Sequence, residues 1–279
     1  MKRTIGQVFL SFAALVGLAL LASGAWADQP HVWQLGMQDP ASPVAERVQS
    51  LHTEVLYIIT IITIFVVALL AYVCVRFRAK ANPIPSRVSH HTVIEILWTV
   101  LPIVVLLIIV VPSFKLLYFE TTTPKADLTL KVTGLQWYWH YDYPDNGNFG
   151  FDSQIVEDKD LKNKEERLLD VDNEVVLPVG ATVRVQLASQ DVMHDWFVPS
   201  LAVGTYAVVG RLNETWLSVD KEGTYFGECN QICGVNHAFM PIKIHAVSKE
   251  AFDKWAADKK QAAMAGTTQL AAATAPAAN

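Results

Sequence analysis

Two thiols, an imidazole and a thioether fall within twelve residues late in the chain. The segment reads Cys229-Asn230-Gln231-Ile232-Cys233-Gly234-Val235-Asn236-His237-Ala238-Phe239-Met240. Gly234 lets the backbone turn tightly between the second thiol and the imidazole. Another histidine, His194, stands upstream in Ser189-Gln190-Asp191-Val192-Met193-His194-Asp195-Trp196. Thiolate and thioether favour copper, and imidazole accepts copper or zinc. Zinc is content with two cysteines and two histidines and leaves Met240 without a role. A mononuclear blue-copper site uses one cysteine. Two cysteines can bridge two copper ions with one histidine terminal on each, which employs every soft residue of the cluster. Structural zinc stays open as an alternative. So does a Cys229–Cys233 disulfide, which accounts for the thiols but not for the spacing of His237 and Met240. The third cysteine, Cys74, lies in an apolar run and reads as packed there.

These residues need a frame that brings residue 194 beside residues 229–240. From 127 onward the pattern is strand-like. Leu128, Leu130 and Val132 alternate with Thr129, Lys131 and Thr133, and Val183, Val185 and Leu187 with Arg184, Gln186 and Ala188. Short strand patterns recur at 216–219, 224–226 and 242–245. Turn signals separate them: Pro144-Asp145-Asn146-Gly147, Pro178-Val179-Gly180 and Lys221-Glu222-Gly223. This spacing predicts an all-β sandwich or barrel. In such a fold an upstream loop and a loop between late strands can meet at one end. Ser248 is expected to cap a short helix with Phe252 and Trp255 on one face. Residues 259–279, rich in Ala, Thr and Gln, read as a disordered tail.

The first half of the chain is of another kind. Mean hydropathy over the chain is +0.26, and the apolar excess is concentrated before residue 120. Lys2 and Arg3, an apolar run from Val8 to Ala22, and the small-residue pattern Ala25-Trp26-Ala27 form a secretory signal peptide over 1–27; a retained first membrane helix is the alternative. Residues 28–50, with Pro30, Pro40 and Pro43, read as an irregular exported lead. A two-helix transmembrane hairpin is expected over 51–118. Its first run, Val55 to Val75, has 21 residues without a formal charge and would reach about 31 Å, the thickness of a hydrocarbon core. Its second, Ile96 to Phe114, has 19. Thr92-Val93-Ile94-Glu95 reads as a capping box opening that helix. Pro102 and Pro112 inside it are tolerated in membranes.

Arg76, Arg78, Lys80 and Arg87 lie between the spans, and positive loops stay cytoplasmic. Both ends of the mature chain then lie outside, in agreement with the signal peptide. The exported part, residues 120–250, carries 20 acidic and 11 basic residues. That balance suits a basic protein partner, or simple solubility, and disfavours nucleic acid. There is no Cys-x-x-Cys-His and so no attachment site for a c-type haem.

With these pieces in place the chain resembles subunit II of haem–copper cytochrome c oxidase over nearly its whole mature length. The matching pieces are the pattern Cys-x-x-x-Cys-Gly-x-x-His-x-x-Met at 229–240, Asp191-Val192-Met193-His194, and Gln136-Trp137-Tyr138-Trp139-His140-Tyr141-Asp142-Tyr143. Leu168-Leu169-Asp170-Val171-Asp172-Asn173 and Ile94-Glu95-Ile96-Leu97-Trp98-Thr99 complete them. The resemblance implies a membrane-anchored all-β protein, a two-helix hairpin followed over 119–258 by a cupredoxin-like Greek-key β-sandwich. It implies a bacterial inner membrane, with the N-terminus and the β-domain on the periplasmic side. It implies two copper ions in a CuA centre, bridged by Cys229 and Cys233. His194 and His237 would be terminal ligands, Met240 a weak axial ligand, and Gln231 a donor through its backbone carbonyl. Trp137 matches the aromatic residue that receives electrons from cytochrome c. Asp142, Asp172 and Asp191 match acidic docking positions. Glu95 matches the mouth of a proton pathway into haem-bearing subunit I, although a capping role also accounts for it. Subunits I and III and membrane lipid are the other implied partners.

Two segments depart from the family pattern. Gln231 stands where the family has a glutamate that helps hold magnesium at the subunit interface, and a neutral amide is a poorer ligand for that hard ion. Gly204-Thr205-Tyr206-Ala207-Val208-Val209-Gly210-Arg211 replaces a segment that usually has Lys and Asp before Pro-Gly-Arg. Neither removes a copper donor, since Gln231 would donate through its backbone carbonyl. A quinol-oxidase subunit would share the fold without those donors, a nitrous oxide reductase would carry them without the hairpin, and a copper chaperone would hold its metal loosely.

Overall fold

The computed structural model describes residues 26–84 and 86–274. The signal-peptide assignment over 1–27 thus lies almost entirely outside the described residues. A three-residue strand, β1 (Trp26–Asp28), spans its end.

Helix α1 runs Pro43–Arg76. It starts earlier than the sequence suggested, because Pro43 opens the helix instead of breaking the chain. Proline suits the first helical position, where its missing N–H is not needed. The Ser42 hydroxyl accepts the Ala45 N–H at 3.0 Å and donates to the Leu201 carbonyl at 2.7 Å. At 1.5 Å per residue the helix exceeds a ~30 Å hydrocarbon core. Its first turn is therefore free to dock on the β-domain, where Val44 and Ala45 are buried. Helix α2 runs Thr92–Thr121. Its cap is His91, one residue before the predicted Thr92. Glu95 still folds back as the capping pattern requires, its Oε1 accepting the His91 N–H at 2.9 Å. At the other end the Trp216 indole donates to the Phe119 carbonyl at 3.3 Å. Both helices expose apolar side chains along their length, an arrangement suited to lipid or to other helices.

The β-domain is the two-sheet sandwich that the alternation predicts. One sheet has the order β4 (Phe149–Ser153), β3 (Tyr138–Tyr143), β2 (Leu128–Leu135), β6 (Val183–Ser189), β9 (Asn213–Leu217). The other has β5 (Val175–Pro178), β11 (Pro241–Val247), β10 (Gly223–Cys229), β7 (His194–Val198), β8 (Val203–Ala207), with β1 beside β10. β2 pairs in parallel with β6, and β5 with β11, so the chain crosses between the sheets and is not a run of hairpins. Leu128, Leu130 and Val132 of β2 and Val183, Val185 and Leu187 of β6 face the core. Trp139, Trp196, Tyr141, Tyr143 and Tyr225 are wholly buried there. Their polar ends are satisfied: the Tyr143 hydroxyl donates to the Val176 carbonyl at 3.0 Å, and the Trp196 indole to the Tyr141 hydroxyl at 3.1 Å.

Helix α3 runs Lys249–Thr274. Ser248 caps it, accepting the Ala251 N–H at 3.2 Å. Phe252 is buried, and Trp255 stands edge-on to Tyr143 at 5.2 Å and to Phe149 at 5.5 Å. The helix continues through 259–274, over most of the stretch read as a disordered tail; residues 275–279 lie outside the described residues. Alanine offers little side chain to bury in a core, yet it has the highest intrinsic helix propensity. A composition that cannot build a core can still continue a helix once the docked turns have nucleated it.

Candidate metal centre

The two distant segments meet at one end of the sandwich because β7 and β10 are neighbours. Cys229 closes β10 and pairs with Trp196 of β7, so His194 at the start of β7 lies beside the thiol. Cys229 Sγ stands 3.9 Å from His194 Nδ1, 3.8 Å from Cys233 Sγ and 3.3 Å from the Gln231 carbonyl oxygen. Cys233 Sγ stands 3.6 Å from both His237 Nδ1 and Met240 Sδ. All six donors named from the sequence are brought together. Cys229, Cys233, His194 and Met240 are buried, whereas His237 is partly exposed. The two thiols are free and unbonded to each other, so the disulfide alternative is not the state described.

The donors press against one another. Burial raises the pKa of a thiol; at Cys229 the contact with His194 and backbone groups of Asp195 and Gln231 outweigh it and bring the value to about 7. Burial and the neighbouring Cys229 charge push Cys233 up to about 12. Without a cation the two thiols therefore do not both ionise near neutral pH. A metal ion removes that conflict, because thiolates bound to it can both ionise.

The segment leading from β2 into β3 holds this end in place. The Asp191 carboxylate accepts the Gln136 N–H and the Val192 N–H, each at 2.6 Å, and meets His194 Nε2 at 2.9 Å. The Gln136 side chain donates to the Cys233 carbonyl at 2.9 Å and the Trp137 indole to the same oxygen at 3.3 Å. The Trp139 indole donates to the Met240 carbonyl at 3.2 Å, and its ring stands edge-on to His194 at 5.8 Å. A Cβ on Gly134 would come within 2.7 Å of the His194 ring, and one on Gly234 within 2.8 Å of Trp137. Glycine at both positions is what allows the parts to close.

The other residues named from the sequence fall into three places. Trp137 is half-buried against the ligand loop, in direct contact with the Cys233 backbone. Asp142 and Asp172 lie on the surface around β3 and β4; Asp142 is 3.4 Å from His140, and Asp172 accepts the Gln154 N–H at 2.7 Å. Asp191 differs from both, since it turns inward to His194. Glu95 sits at the start of α2, the end of that helix away from Trp216 and the β-domain. Reasoning from the residues overlooked Gly134, Gln136 and Trp139 as supports of the centre. Their signal is the dense aromatic segment 136–143, whose partners become visible only after folding. Asp195 was overlooked too: it is buried, bonded to Asn230 at 3.2 Å, and burial raises its carboxyl above the ordinary value.

Comparison with known proteins agrees with this architecture. The family model described as cytochrome c oxidase subunit II, periplasmic domain, matches residues 128–247, and that described as the transmembrane domain matches residues 30–116. The chain is 50% identical over 259 residues to a probable cytochrome c oxidase subunit 2 of Rickettsia bellii, covering 93% of this chain and 96% of that protein. It is 43% identical over 247 residues to cytochrome c oxidase subunit 2 of Oenothera berteroana, covering 86% of this chain and 96% of that one. The crystal structure of the periplasmic domain of subunit II of cytochrome oxidase of Bradyrhizobium japonicum is 48% identical, with a TM-score of 0.47, covering 50% of this chain and 98% of that chain. Matching through both its membrane hairpin and its β-domain, the chain belongs to the cytochrome c oxidase subunit II family.

Proposed function

We propose that the cluster of His194, Cys229, Gln231, Cys233, His237 and Met240 holds two copper ions, and that through them this electron-transfer subunit of a haem–copper oxidase accepts electrons from cytochrome c and delivers them to haem in subunit I. The observation that supports this best is the convergence of two thiols, two imidazoles, a thioether and a carbonyl with no cation of the protein's own among them. Bound there, a copper pair supplies a one-electron site that shares its charge over both ions.

The protein's contribution is to keep that site rigid. His194 is clamped by Asp191 and Trp139, Cys233 is tied to Gln136 and Trp137, and Met240 to Trp139. Fixed ligands lower the reorganisation that each electron demands. Trp137, touching the ligand loop from its partly exposed side, is the group assigned to receive electrons. Asp142 and Asp172 are assigned to docking a basic cytochrome c. Asp191 is better assigned to orienting His194, since its carboxylate is committed inward. Glu95 marks the opposite end of the hairpin and is assigned to the mouth of a proton pathway. The positive loop between the spans supports assigning that end to the cytoplasm and the β-domain to the periplasm of a bacterial inner membrane. Subunit III completes the expected complex.

The test is a copper count on the full chain in detergent, with EPR and near-infrared spectra. Two coppers sharing one unpaired electron are expected. One copper, zinc, or a Cys229–Cys233 disulfide without metal would overturn the proposal. Reversing the charges of Asp142 and Asp172 tests the docking assignment. Electron uptake should slow and lose salt dependence; unchanged kinetics across ionic strength would refute it.

A further inference from the structure

Positive charge outside any ion pair among the described residues gathers at the end of the membrane hairpin nearest the β-domain. Arg47 projects from α1 and Lys115 from α2, and both are exposed. Two clefts share them. A cleft of about 240 Å³ is lined by Arg47, Ser50, Leu51, Glu54, Pro112 and Lys115, among others. A larger one of about 640 Å³ is lined by Arg47, Lys115, Tyr118, Phe119, Thr122 and Pro124. The larger cleft has two bases and no acid, while in the smaller Glu54 opposes two bases. The Arg47 guanidinium lies 3.4 Å above the Phe119 ring centroid. That stacking fixes the plane of the guanidinium while leaving its N–H donors at the rim. Among the described residues, neither cation takes part in an ion pair.

Depth decides what can neutralise them. Lys115 directly follows the uncharged run Ile96 to Phe114, so it stands at the edge of the hydrocarbon. A lysine at that level turns its ammonium toward the headgroup layer, where anionic phosphates attract it. Below the clefts the helix surfaces are apolar and exposed, with Leu107, Val111 and Phe114 all open. A ligand that suits both levels carries an anionic head and two apolar chains. We propose that Arg47 and Lys115 form a seat for the phosphodiester headgroup of an anionic phospholipid, in the leaflet facing the β-domain. The two cations take the phosphate, Tyr118 and Thr122 offer hydroxyl donors, and the acyl chains lie along the open helix faces. Arginine held flat by Phe119 suits a bidentate phosphate contact, with lysine as the second point charge.

The experiment is native mass spectrometry of the full chain in detergent micelles, titrated with dioleoylphosphatidylglycerol or with dioleoylphosphatidylcholine. The chain should retain one phosphatidylglycerol and discriminate against phosphatidylcholine, whose own ammonium competes for its phosphate. The double variant Arg47→Gln/Lys115→Gln should bind phosphatidylglycerol about 30-fold more weakly. Circular dichroism reports whether that variant is folded, and if it is not, Lys115→Gln alone, expected to lose about fivefold, replaces it. Equal affinity for the two lipids, or undiminished binding in a folded variant, would overturn the proposal. Displacement by inorganic phosphate would reduce the seat to a soluble-anion site and overturn the lipid assignment. Absence of the lipid from the assembled oxidase, with Lys115 cross-linked to a carboxylate of another subunit, would give the seat to a protein partner. None of these outcomes depends on copper, so failure here leaves the electron-transfer reading untouched.

Discussion

Two polar clusters in the β-domain draw together residues far apart in sequence, and they are built on opposite principles. Around Lys243 on β11 the charges complete one another. Its ammonium lies 2.7 Å from Glu166 and 2.8 Å from Asp170, while His245 meets Glu174 at 3.0 Å. Each carboxylate there has a basic partner, and the loop before β5 is pinned to the sheet. At the end of β10 the groups are alike instead. Sulfur faces sulfur at 3.8 Å and sulfur faces imidazole nitrogen at 3.6 and 3.9 Å. Thiol and imidazole protons can bridge these atoms, but two sulfurs this close do not both ionise without an added cation. The first cluster is complete as folded and needs only to persist. The second acquires its purpose from a cation supplied from outside.

That contrast is open to test from either side. The largest effect is expected at Cys229→Ser, which removes one of the two thiols proposed to bridge the copper pair. Copper should no longer be retained as a pair, and the near-infrared band of the full chain should vanish; a variant that still held two coppers would make the two clusters equivalent. Gly134→Ala comes next. Its new Cβ would lie 2.7 Å from the ring of His194, which Trp139 prevents from yielding. Overpacking of this kind costs about 1–3 kcal/mol, and copper content should fall together with thermal stability. Lys243→Met should do the reverse, lowering stability by about 1–2 kcal/mol as two half-buried carboxylates lose their cation. Copper content should stay at two per chain. Adding Glu166→Gln and Asp170→Asn should restore much of the stability, and a failure to do so would show that Lys243 acts through packing on Phe226.

The smallest effect concerns His245 and Glu174, and it depends on pH. The hydrogen bond with Glu174 holds the His245 imidazole above its ordinary value of 6.5, and the same bond holds Glu174 below 4.5. The histidine contribution is complete below pH 6.5 and is lost as pH rises through its folded value. The carboxylate contribution is present above pH 4.5 and is lost as pH falls through its folded value. The melting temperature of His245→Gln should therefore lie furthest below that of the parent between pH 4.5 and 6.5 and rejoin it at alkaline pH. Both side chains are more than a third exposed, so the gap should be a degree or two, about what a screened surface pair gives. A constant gap at every pH would assign the effect to packing alone.

The proposed metal donors were legible in the sequence because most of them are local. Cys229, Gln231, Cys233, His237 and Met240 lie on one loop, and a loop's donor spacing is fixed by chain geometry before any tertiary contact forms. The apolar spans were equally legible, since an uncharged run of membrane length has few other places to go. Helix ends were harder to read. Pro43 looked like a break and proved to be a start, because proline obstructs a helix only where an N–H is required. The stretch from 259, rich in Ala, Thr and Gln, read as a tail, yet an alanine-rich composition favours helix.

What the sequence alone determined is the kind of protein this is: a soft-donor loop, an alternating β-domain and two spans with a basic turn between them. Those properties reside in side-chain chemistry and short-range periodicity, which composition and spacing record directly. What only the tertiary structure decided is which distant residues touch. Asp191 reads as one more surface acid until the pairing of β7 with β10 and the return of β2 into β3 bring Gln136 and His194 against it. Arg47 and Lys115 are 68 positions apart and share a cleft only because the hairpin sets α1 beside α2. Such contacts depend on how strands register and helices cross, and those choices are made by the packing of the whole core.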